Sequence, residues 1–225
     1  MTDYSRNTRS HTCSVRLNTA SDVLTKTMSD LASILISERI IYLGMALASD
    51  DETRQSFSGG MNVTQLMIAQ LLCLEYDDDD APITIYINSS GSTDINSNAI
   101  GHENEAFAIY DTMRYLKAPV NTFCVGIAMG TATMLLSAGQ VGKRASLPNA
   151  SIILNQPYNY VAGSSTEINI QVEQLLISRS IMHEILSIHI GKSLQQIRAD
   201  CNRIHHLTPY QAVQYGIIDS VIAGT

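Results

Sequence analysis

Apolar residues along the chain fall into two patterns: short continuous runs, and longer stretches in which they return every three or four residues. "SERIIYLG" (37–44) holds a continuous run closed by Gly44, and "PITIYINSS" (82–90) holds another. Runs of this kind suit buried strands, and 120–125 and Ile152 to Leu154 are read the same way. From Val63 to Leu74 and again over 107–117 the spacing is helical. The most regular stretch opens with Ser164-x-x-Glu167, a capping-box pattern in which each side chain satisfies the other's backbone N–H. After it Ile168, Val172, Leu175, Leu176, Met182 and Leu186 recur at helical spacing, while Ile177, Ile181, Ile185 and Ile188 make a second stripe. The spacing predicts one helix over 166–190, about 36 Å long at 1.5 Å per residue. Two apolar stripes exceed what one contact inside a small domain needs, so this helix is expected to pack against another subunit. Strands alternating with helices predict an α/β fold.

Between these elements lie polar stretches. The segment 49–62, "SDDETRQSFSGGMN", and residues 91–106 read as loops, and Asp77 to Asp80 as a solvated acidic turn. The segment 126–139, "GIAMGTATMLLSAG", reads as a tight turn of small residues running into a buried helix. Turns of that kind lift a nucleophile into reach, as in a Gly-x-Ser-x-Gly elbow. Here Met129-Gly130-Thr131 offers neither serine nor cysteine at the tip.

Composition narrows the function more by exclusion. At 225 residues the chain suits one domain over 28–225, preceded by an arm at 1–27. A net charge of −7 and a pI near 5.2 argue against non-specific binding to nucleic acid or anionic membranes. No apolar run reaches the 18 or so residues of a membrane span. Cys13, Cys73, Cys124 and Cys201 are scattered without a C-x-x-C, which suggests reduced thiols in a cytosol-like compartment. Three of the four stand in apolar surroundings and are expected to be buried. The arm is rich in Ser, Thr and Arg, faintly like a transit peptide. It is read as a mobile or partner-ordered segment of a cytoplasmic protein, with a plastid address as the alternative. No metal or cofactor is expected, since four consecutive Asp side chains point in different directions.

Several segments together resemble the proteolytic subunit of the Clp protease, ClpP: "ERIIYLG" (38–44), "AQLLCLE" (69–75), "IYIN" (85–88), "IYDTMRYLKAPV" (109–120), "GKRASLPNASIILNQP" (142–157) and "YGIIDSVI" (215–222). The resemblance covers 37–222 and implies a ClpP/crotonase-type fold, a head domain plus a long handle helix. It also implies heptameric rings stacked in pairs, with the handle between rings. The family's serine falls on Gly130, its histidine on Asn155 and its aspartate on Ile204. The spacing between these positions matches that of an active subunit, so a slipped alignment does not explain the losses. The glycine that donates an oxyanion-hole N–H in the family falls on Ser92, within "NSSGS" (88–92), and an insertion follows within 93–105 that either crowds the cleft or is a tolerated surface loop. Tyr86 matches one aromatic of the family's chaperone-docking cleft, and Thr84 stands where a second is usual. At the ring-to-ring contact Arg203 matches a basic residue whose acidic neighbour is replaced by Asn202. Within the family this pattern resembles the non-catalytic ClpR branch of cyanobacteria and plastids. The implied partners are active ClpP-type subunits in mixed rings and an AAA+ ATPase such as ClpC.

A Ser–His–Asp mechanism needs an oxygen nucleophile, a base and an orienting acid. Glycine, asparagine and isoleucine supply none of these. Two other readings remain. One is a peptidase with an improvised nucleophile among Thr131, Thr133 and Ser137, with His205 or His206 as base. The other is a crotonase-type protein that binds acyl-CoA. His205 and His206 are otherwise a polar pair on a loop or ring contact, and His183 and His189 helix-face residues.

Overall fold

A seven-stranded sheet forms the centre of the described residues, which in this computed structural model are 32–47, 62–93, 103–158 and 163–222. The arm at 1–27, most of the 49–62 loop and most of the 93–105 stretch lie outside them. The chain divides into two units, 1–34 and 35–225, and the architecture below is that of the second. Strands β1 (Ile40–Leu43), β2 (Ile83–Ser89), β3 (Val120–Met129), β4 (Arg144–Ser146) and β7 (Ser220–Val221) lie side by side and parallel. β3 is long enough to take two neighbours in turn. Its first half pairs with β4, and Ile127–Met129 pairs with β5 (Ser151–Leu154). β5 in turn carries β6 (His205–Leu207) antiparallel.

Between the strands run α1 (Val63–Asp77), α2 (Glu103–Tyr115), α3 (Thr131–Ser137), α4 (Ser165–Ile190), α5 (Leu194–Cys201) and α6 (Pro209–Tyr215). One sheet face is dry: Ile83, Ile85 and Ile87 of β2 alternate inward with period two and meet Met67 and Leu71 of α1 and Ile109 of α2 in one core. All seven residues of α3 are buried, and its three hydroxyls are each hydrogen-bonded inside the protein. The expectation of strands buried on both faces needs correcting. Thr84, Tyr86 and Asn88 are only half-buried, and Tyr42 of β1 is exposed, because within this unit the other face of the sheet is only partly covered.

The capping box at Ser164 forms as the sequence predicts: Ser164 N–H donates to Glu167 Oε2 at 2.8 Å, and Glu167 N–H to Ser164 Oγ at 3.4 Å. From it α4 runs 26 residues, about 39 Å at 1.5 Å per residue, and ends on Gly191 in the left-handed region. Its first two-thirds buries no residue fully, and Ile170, Val172, Leu176, Ile177 and Ile181 are exposed; Met182, Ile185 and Leu186 enter the core. The fold is therefore a head with a long handle helix.

Three element boundaries differ from expectation. β3 continues through 126–129, so the reversal after it is confined to Gly130. α2 begins at Glu103, so 103–105 are its acidic first turn and not part of an insertion loop. Acid suits that place, because the N-terminal N–H groups of a helix favour negative charge. His205 and His206 lie in β6 rather than in a loop.

Candidate functional site: a degenerate nucleophile elbow

The site lies where β3 passes from β4 to β5. At the β2–β3 pairing the register shifts between Ile87 and Ser89, and the Asn88 side chain fills the gap by accepting from Ile127 N–H at 3.0 Å. Gly126 leaves the room for it, since a Cβ there would stand 2.5 Å from Asn88 Oδ1. Past this point β3 ends at Met129, and Gly130 turns the chain into α3 with φ 56° and ψ −112°. This is the strained strand-to-helix turn of a nucleophile elbow. The turn is held by Gly130 N–H donating to Ile153 O at 3.0 Å and Met134 N–H donating to Gly130 O at 3.1 Å. Glycine adopts that φ without steric cost and places no side-chain atom at the tip of the turn.

Asn155 follows directly on β5 and is buried, 7% exposed. A Cβ added to Gly130 would stand 2.6 Å from Asn155 Oδ1, so the two positions face each other. That oxygen has no hydrogen-bond partner among the described residues. The β5–β6 register pairs Leu154 with His205, and one step further sets Asn155 against Ile204. Two of the three positions expected for the family's triad, Gly130 and Asn155, are thus brought face to face. Ile204 itself is half exposed and does not line the cavity beside the other two.

Ser92, Thr93, Gly130, Thr131, Asn155 and Met182 line a cavity of about 10 Å³, roughly the space of one water. Ser92 N–H, expected at the family's oxyanion position, donates to Thr131 Oγ1 at 3.0 Å.

The improvised nucleophiles are engaged elsewhere. Thr131 is buried and accepts that bond. The Thr133 hydroxyl lies 2.7 Å from Ala128 O and 2.8 Å from Ile153 O and donates between them. Ser137 Oγ donates to Met134 O at 2.8 Å inside α3. The suggested bases do not reach Thr131: His205 stands edge-on to Tyr215, His206 is exposed, and neither lines the cavity. Cys124 and Cys201 offer no substitute, because burial pushes the first thiol up to about 11 and the second up to about 12. Cys73, expected to be buried, is exposed on α1.

Elsewhere Tyr86 sits on β2 between Tyr42 of β1 and Phe123 of β3, its ring 5.2 Å from that of Phe123. Thr84 lies two residues back on the same face, between Ile40 and Asn121. Tyr42 and Phe123 were not singled out from sequence, and the parallel register alone reveals the aromatic row. Asn202 caps α5 and Arg203 follows it, both exposed.

A seven-stranded α/β head, a long handle and an elbow of this geometry define a serine-peptidase-like fold of the ClpP type. The family profile described as Clp protease matches residues 24–225, and the chain belongs to the Clp protease family. It is 50% identical to an ATP-dependent Clp protease proteolytic subunit-like protein of Synechocystis sp., over 86% of this chain and 85% of that one. It is 44% identical to ATP-dependent Clp protease proteolytic subunit 2 of Gloeobacter violaceus, over 86% of this chain and 80% of the relative. To the chloroplastic Clp protease proteolytic subunit-related protein 4 of Arabidopsis thaliana it is 43% identical, over 86% of this chain and 59% of that protein. Among the described residues no helix is long and apolar enough to cross a membrane.

Proposed function

We propose that this chain is a non-catalytic ClpP-type subunit of an ATP-dependent Clp protease core. It takes a structural and regulatory place in a mixed heptameric ring with active ClpP-type subunits. The observation that supports this reading is the elbow at Gly130: the sharp turn is formed with a glycine at its tip, Asn155 faces it, and neither of these two residues can attack a carbonyl or take up a proton near neutral pH. Loss of the nucleophile or base alone costs on the order of 10⁶ in kcat in a well-studied serine protease. The exposed apolar half of α4 supports a role in assembly, since an apolar surface of this extent is normally covered by a partner. An AAA+ ATPase such as ClpC is the partner for the outer face, with Tyr86 and Thr84 at its docking cleft and Asn202 and Arg203 at the contact between rings. The chain would work in the cytoplasm or a plastid stroma, in line with its cyanobacterial and chloroplast relatives.

Native mass spectrometry of complexes isolated through a C-terminal tag on this chain tests the reading. Rings of fixed composition containing a ClpP-type partner are expected. Homo-oligomers with no such partner would overturn it.

A further inference from the structure

An elbow of this type stabilises a tetrahedral intermediate with two backbone N–H groups, one from the residue after the nucleophile and one from a loop beside it. Here the residue after the elbow is Thr131, and the loop beside it is 89–93. Ser92 N–H points at the elbow but ends on Thr131 Oγ1, at 3.0 Å, with both residues buried. The loop is pressed against the elbow as well. Gly91 has φ +72°, and a Cβ there would stand 2.5 Å from Thr131 Oγ1 and 2.6 Å from Met129 O. On its far side the loop is tied down by Leu47 N–H to Gly91 O at 2.8 Å and by Ser89 Oγ to Met45 O at 2.6 Å. The cavity left between loop and elbow is about 10 Å³.

We propose that Thr131 is a latch: its hydroxyl takes up the loop's N–H and shuts the cleft, separately from the loss of the triad. This rests on the non-catalytic reading and deepens it. A ring position that cannot cut peptides is also kept from holding them, so it does not retain chains that active neighbours could hydrolyse.

Hydrogen exchange read by fragmentation mass spectrometry on the full chain tests the latch directly. With Thr131→Val, which keeps the shape and removes the acceptor, the Ser92 amide should exchange at least tenfold faster. Amides inside the 131–137 helix, such as Met134, should be unchanged, which shows that the elbow still folds. Thr131→Ser should retain the protection, and Thr131→Ala should lose it as the valine does. Unchanged exchange at Ser92 in both Val and Ala variants would overturn the proposal. A second arm rebuilds the triad as Gly130→Ser with Asn155→His and Ile204→Asp, with Thr131 kept or changed to Val. The valine form should react with a fluorophosphonate about 10²-fold faster, the effect of one oxyanion donor; equal measurable rates would contradict the latch. Unchanged exchange in the Val and Ala variants, with a wild-type chain that hydrolyses no peptide, would overturn the latch and leave the non-catalytic reading standing. A wild-type chain that hydrolyses peptides would overturn that reading and the closed cleft with it.

Discussion

Two polar constellations flank the same sheet, and they are treated in opposite ways. At the β4–β7 side, Asp219 Oδ2 accepts from Gly142 N–H at 2.7 Å and from Arg144 N–H and Nε at 3.0 Å, and Oδ1 accepts from Nη2 at 2.7 Å. Arg144 Nη1 then donates to Ser137 O at 3.2 Å and His189 O at 3.1 Å, joining the end of the handle to the buried helix behind the elbow. At the elbow, Asn155 is equally buried but its Oδ1 meets nothing, and Gly130 offers no side chain at all. The Arg144–Asp219 cluster, which joins several elements, is fully paired, whereas the Asn155 oxygen facing Gly130 is not. The difference separates a cluster that joins elements of the fold from a buried side chain whose oxygen joins nothing.

The largest effect should come from breaking the satisfied cluster. Arg144→Ala or Asp219→Ala leaves a largely buried charge without its partner, and each is expected to cost about 3–5 kcal/mol by denaturant unfolding. At the elbow, Gly130→Ala places a Cβ against Asn155 at a strained φ and should cost about 1–3 kcal/mol. The penalty should shrink in an Asn155→Ala background, where the opposing oxygen is gone, and a double-mutant cycle measures it. A loss equal in both backgrounds would mean that backbone strain alone sets the cost.

A third expectation concerns acid. His183 is 4% exposed in α4, and burial, with the charges of Arg179 and Arg198, pulls it from 6.5 down to about 4. The unfolded chain therefore binds a proton below pH 6.5 that the folded chain refuses until about pH 4. Stability from this group is complete above pH 6.5 and is lost as pH falls, and His183→Asn should flatten the dependence between pH 6.5 and 5. The smallest effect belongs to Asn155→Leu. It exchanges an orphaned buried amide for apolar volume and should be neutral or stabilising by roughly 1 kcal/mol. The same kind of exchange at Arg144 would be strongly destabilising, which sharpens the contrast.

Much of this was legible in the sequence where a pattern is long or strongly marked. The handle announced itself through Ser164-x-x-Glu167 and two apolar stripes, and β2 through its isoleucines. β4, β6 and β7 span only two or three residues, too few for a period to show. Glu103 was read as loop because acid marks both loops and helix starts, and only the helix that follows decides. Cys73 sits among apolar letters but on the outward side of α1, whose buried positions are Thr64, Met67, Leu71 and Leu74. At the site, a family pattern pointed to Gly130, Asn155 and Ile204, and the structure sets the first two face to face. The Ser92–Thr131 bond was not, because it joins residues 39 apart and depends on how the loop meets the elbow.

The most direct test of the account is to treat purified complexes containing this chain with a broad fluorophosphonate and locate adducts by mass spectrometry. The account predicts adducts on the serine of ClpP-type partners and none on this chain. An adduct on Thr131, Thr133 or Ser137 would contradict it and show a nucleophile at work beside Gly130.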